Sequence, residues 1–107
     1  MNAHLSCQLS AALALAALLV DHPEVQGITW TADPLGVLRG EQYALDGDGR
    51  VVDTCATILG GRPVRSVLDL DGDRTGLVQL ATVWRGVPVE IRATYPASTG
   101  ITVGGVR

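Results

Sequence analysis

The chain has 107 residues, enough for one domain with a single hydrophobic core that needs no metal or disulfide to complete it. Its net charge is −3 and its eight basic residues are all Arg, spread from Arg39 to Arg107 with no basic run. That distribution argues against broad electrostatic binding of nucleic acid, which needs a clustered cationic footprint.

The first predicted element is a helix over residues 3–21, with Asn2 as its N-cap. Leu5, Leu9, Ala12, Leu13, Ala16 and Leu19 form one stripe at helical spacing, widened by Leu15 and Leu18. A helix apolar over most of its circumference is expected to be covered on more than one side. Pro23 ends it, because the residue before a proline avoids the helical region. Ala11 to Val20 has the length of a secretory h-region, but no Lys or Arg precedes it and no small-x-small cleavage site precedes Asp21. It is also too short to span a bilayer. The reading is a buried helix in a cytoplasmic protein that makes no membrane contact.

A short strand follows over residues 27–31. The turn residues Asp33, Pro34 and Gly36 then lead into a second strand over 37–43, predicting a hairpin. Asp46 to Gly49 is a loop. Residues 50–59 contain β-branched side chains, yet Val51, Val52, Cys55, Ile58 and Leu59 follow helical spacing. Asp48 is placed to cap this second helix and Gly60 or Gly61 to stop it.

The third strand runs over 62–70, with Val64, Ser66, Leu68 and Leu70 on one side and Pro63, Arg65, Val67 and Asp69 on the other. Residues 71–76 turn the chain. Residues 77–84 and 87–95 then form a hairpin about Arg85-Gly86. Its register sets Trp84 opposite Val87, Thr82 opposite Val89, Leu80 opposite Ile91 and Val78 opposite Ala93 on the inner face. The outer pairs are Val83 with Pro88, Ala81 with Glu90, Gln79 with Arg92 and Leu77 with Thr94. Residues 97–107 are a tail or an added edge strand through Ile101 and Val103. The predicted domain, residues 1–107, is α+β: an antiparallel meander with two helices on one face, in the order α-β-β-α-β-β-β.

Several features of this layout are similar to small proteins of unknown function common in Streptomyces and related actinobacteria. They are the Leu/Ala helix ending at His22, Pro23 and Glu24, Ile28 with Trp30, Leu38 with Gly40, the helix end at Leu59, Gly60 and Gly61, and the hairpin from Trp84 to Val89. The resemblance implies a fold and no activity, and it brings no catalytic residue.

Candidate chemistry is sparse. Asp69, Asp71 and Asp73 have the opening spacing of a calcium loop. Arg74 stands where that loop needs Gly, and Leu80 where it needs a bidentate acid. Asp46 and Asp48 fail sooner, at Arg50. Both stretches read as solvated turns. His22 beside Asp21 and Glu24 reads as a polar helix exit. Ser6, Ser10, Ser66 and Ser98 lack the context of an activated nucleophile. Cys7 and Cys55 have neither zinc nor redox spacing and read as small buried thiols, the alternative being a disulfide between them, which would need an oxidising compartment. Gly60-Gly61-Arg62 lacks the Lys of a phosphate loop. Trp30 and Trp84 read as core volume rather than a base-stacking platform. No catalytic residue, metal or cofactor is expected.

The informative surface is the outer side of the last hairpin, where Leu77, Ala81, Val83 and Pro88 form an apolar band. Pro88 falls at a non-hydrogen-bonded pair, which suits a sheet edge or a level where the next strand has ended. With Ile101 and Val103, these residues are the candidate interface of a non-enzymatic protein-interaction module, expected to act as a homodimer or to bind another protein. Two other readings are a small-ligand binder or minor enzyme with a pocket between the first helix and the sheet, and nucleic-acid contact through Arg62, Arg65, Arg85 and Arg92. The acidic balance makes the last the weakest.

Overall fold

The computed structural model describes residues 6–43, 48–70 and 72–97. Helix α1 spans Cys7–Asp21, strands β1 and β2 span Thr29–Ala32 and Leu38–Tyr43, and helix α2 spans Arg50–Leu59. Strands β3, β4 and β5 follow at Val64–Leu70, Asp73–Trp84 and Val87–Pro96. The protein is thus α+β, with two helices and a five-stranded, mostly antiparallel sheet in the order β1-β2-β5-β4-β3.

The sheet is not a pure meander. Strands β3, β4 and β5 turn back on one another, but β5 then lies parallel to β2, from Leu38 opposite Val89 to Tyr43 opposite Thr94. A parallel pair needs a crossover. Helix α2 supplies it, carrying the chain from β2 to the far edge at β3.

Each helix has a local cause. Ser6 caps α1: its Oγ accepts from the Leu9 N–H at 3.0 Å, while Asn2 lies outside the described residues. The His22 N–H closes the other end on the Leu18 carbonyl before Pro23. Helix α2 starts after Gly49, whose φ of +77° only glycine adopts freely, and the Asp48 carboxylate accepts from the Arg50 N–H at 3.2 Å. Its exit residue Gly60 has φ +90°.

The β4–β5 hairpin has the expected register, from Trp84 opposite Val87 to Leu77 opposite Thr94. Its turn residues Arg85 and Gly86 both have positive φ, 53° and 77°, the twist a two-residue hairpin loop prefers. Strand β4 begins earlier than the sequence suggests. Asp73 already pairs with Leu70, so the predicted six-residue turn shrinks to two residues.

One core unites the elements. Ala11, Ala14 and Leu18 of α1 and Val52, Cys55 and Leu59 of α2 pack with Leu38, Val78, Leu80, Val89, Ile91 and Ala93 of the sheet. Burying each Leu, Ile or Val contributes about 1.5–3 kcal/mol. Trp30, Trp84 and Tyr95 are partly buried against the same cluster. No helix among the described residues is long and apolar enough to cross a membrane.

Candidate interaction surface

Alternation along the strands leaves a second, outer sheet face opposite the core. Cross-strand register builds it in rows: Arg39, Glu90 and Ala81 lie side by side on β2, β5 and β4, with Glu41, Arg92, Gln79 and Val64 in the next row. The Arg39 guanidinium donates to the Glu90 carboxylate and, through Nε at 3.1 Å, to Asp33. Asp33 also accepts the backbone N–H groups of Val37 and Leu35 at 3.0 and 2.9 Å. The Val37 N–H leads in holding the Asp33 carboxyl below the usual carboxylate range, although burial opposes it; Arg39 adds to the effect. The same carboxylates push the Arg39 guanidinium up.

These rows floor an open trough of about 520 Å³, lined by Arg62, Val64, Gln79, Arg92 and their neighbours. A second depression of about 420 Å³ lies beside it, at Thr29, Glu41, Tyr43, Arg92 and Thr94. Both are on the outer face. The interval between α1 and the sheet, where a ligand pocket was expected, is occupied by the packed side chains of Ala11, Ala14 and Leu18.

The predicted apolar band is shorter than expected. Ala81, Val83 and Pro88 are exposed, Val83 at 64%. Leu77 is buried, with 6% of its surface exposed, so it cannot contribute to a docking surface. Val64, which the band omitted, is 61% exposed and shares the outer face because it pairs with Gln79. Ile101 and Val103 lie outside the described residues.

Of the two alternatives for Pro88, the structure bears out the level that the next strand does not reach, not the edge. Strand β5 is central, and the β2 ladder begins one residue further on, at Val89. The missing N–H therefore faces a level at which β2 has not yet started. The sheet edges among the described residues are β1 and β3.

Two exposed apolar surfaces were not anticipated. Among the described residues, helix α1 is covered on one side only. Leu9, Ala12, Leu13, Ala16, Leu19 and Val20 all face solvent, and no charged residue interrupts the helix before Asp21. The second is the edge strand β3, where Val64, Val67 and Leu68 are exposed. Arg65 ties this edge to α2. Its two terminal nitrogens donate to the two Asp53 oxygens at 3.0 and 2.8 Å, and one also reaches the Asp48 carbonyl. The Arg65 hydrogen bonds hold the Asp53 carboxyl below its ordinary value, and Asp53 in turn raises the Arg65 guanidinium.

The four arginines considered for nucleic acid do not converge. Arg62 and Arg92 line the outer trough, whereas Arg65 lies against α2. Arg85 stacks 4.5 Å over the Trp84 ring and reaches Asp21 at the end of α1. Both cysteines are free. Cys55 is buried, and burial pushes its thiol up to about 11. Cys7 is exposed, against the expectation of two buried thiols. No cluster of three or more potential metal ligands occurs among the described residues. Comparison with protein-family models, curated proteins and solved structures gave no match for this chain.

Proposed function

We propose that the protein is a cytoplasmic, non-enzymatic interaction module that acts as a homodimer. The observation that supports this most directly is the exposed apolar surface. Leu9, Leu13, Leu19 and Val20 on α1, Val64, Val67 and Leu68 on β3, and Val83 on β4 all stand in solvent in a single copy. Leu9, Leu13 and Val20 share one face of α1, and an apolar patch of this kind on a small domain marks a contact site.

Sedimentation equilibrium on the full chain tests the reading. A concentration-dependent shift to twice the chain mass is expected. A strict monomer over the whole accessible concentration range would overturn the homodimer.

A further inference from the structure

We propose that two copies join through β3, pairing these edge strands antiparallel about Val67 and merging two five-stranded sheets into one. This inference rests on the homodimer reading and names its contact.

The backbone phase supports it. Leu70 and Asp73 flank a two-residue turn and so form a hydrogen-bonded pair. Alternation then makes Leu68–Thr75, Ser66–Leu77 and Val64–Gln79 hydrogen-bonded pairs as well. The N–H and C=O groups of Arg65, Val67 and Asp69 are left pointing away from β4. Antiparallel pairing about Val67 sets these outward-directed groups in hydrogen-bonded pairs: Val67 meets Val67 of the second copy, and Arg65 meets Asp69 of the second copy.

Charge selects that register. The two-fold axis makes the Arg65–Asp69 pair twice, each time with opposite signs directly across the strands. Centring on Arg65 or on Asp69 would set like charges face to face. Centring on Ser66 or Leu68 would leave Arg65 or Asp69 opposite Val67. Arg65 keeps its terminal nitrogens on Asp53 and also lies beside the Tyr95 hydroxyl, so Asp69 of the second copy meets it as an opposite charge rather than through a new hydrogen bond. The pairing also covers Val67, which is 52% exposed in one copy. Edge strands are commonly protected by charges that repel a further strand. On β3 the charges are self-complementary.

Sedimentation equilibrium on wild type, Val67→Pro and Asp69→Arg tests the contact. Val67→Pro removes an N–H directed at the second copy and spares the β3–β4 ladder, so a folded monomer is expected. Leu68→Pro, which breaks that ladder, is the control for damage to the hairpin. Asp69→Arg is expected to raise the dimer Kd about tenfold or more. Mixing it with Arg65→Asp should restore a mixed dimer, detectable by native mass spectrometry. A wild-type dimer that persists with unchanged Kd in both Val67→Pro and Asp69→Arg would overturn the edge contact and leave the homodimer standing. A monomeric wild type would overturn both.

Discussion

Arg65 and Asp53 form a two-toothed ion pair that fastens the sheet edge to the crossover helix, with both guanidinium ends on both carboxylate oxygens. The planar fork of Arg matches a carboxylate in a way Lys would not. The pair is still partly solvated, with roughly two-fifths of each side chain exposed. Its net contribution is therefore small, under about 1 kcal/mol.

The pH dependence of this pair follows from its sign. The folded-state carboxyl of Asp53 lies below the ordinary value of 3.8, so its contribution is present above that value and is lost as pH falls through the folded one. Asp53→Asn should lower stability at neutral pH by under about 1 kcal/mol. Its deficit against wild type should shrink as pH drops below 3.8. Urea denaturation at a series of pH values reads both effects, and a deficit that grew on acidification would contradict the assignment.

Gly76 faces Tyr95 across the β4–β5 ladder, and a Cβ at Gly76 would run into the tyrosine ring. Gly76→Ala should therefore destabilise the fold by about 1–3 kcal/mol through overpacking. Combining it with Tyr95→Ala should cost less than the sum of the two single changes, because the clash disappears with the ring. Thermal melts of the three variants complete the cycle; simple additivity would refute the contact.

The two sides of α1 should answer differently to truncation. Leu18 is fully buried in the core, and Leu18→Ala should cost about 2–5 kcal/mol. Leu13 is 52% exposed, and Leu13→Ala should stay within about 0.5 kcal/mol in the unfolding of a single copy. Chemical denaturation at low protein concentration separates the two. Equal costs would mean that α1 packs on the wrong side.

The thiols give a chemical check on the same packing. Cys7 is exposed, whereas Cys55 is buried and its thiol is pushed up to about 11. A thiol reagent at neutral pH should label Cys7 rapidly and reach Cys55 only on unfolding, since the thiolate is the reactive form. Prompt labelling of both would place Cys55 outside the core.

Helix α2 and the β4–β5 hairpin were legible because their patterns carry contrast. In α2 the polar Asp53, Thr54 and Thr57 occupy one side and Val52, Cys55 and Leu59 the other, and the buried set is the one that helical spacing selects. In the hairpin, strict alternation and a two-residue turn leave one register available. Helix α1 lacks that contrast. Its stripe at Leu9, Ala12, Leu13, Ala16 and Leu19 is as apolar as the opposite side, and of the predicted face the structure buries only Leu18, together with Ala11 and Ala14. Small alanines let the helix backbone come close to the sheet, a consideration that hydrophobicity alone does not register.

The candidate surface divides in the same way. Ala81, Val83 and Pro88 were assignable to the outer face because strand parity is local. The burial of Leu77 and the central place of β5 depend on which strands lie alongside, and that is a long-range matter. The parallel contact between β2 and β5 joins segments about fifty residues apart and has no local signature. Local chemistry thus determined the Arg85-Gly86 turn, the second helix and the hairpin register, since each depends on residues within a few positions of one another. Tertiary packing alone decided which side of α1 is buried, that the strand carrying Pro88 is central, and that β3 is an edge among the described residues.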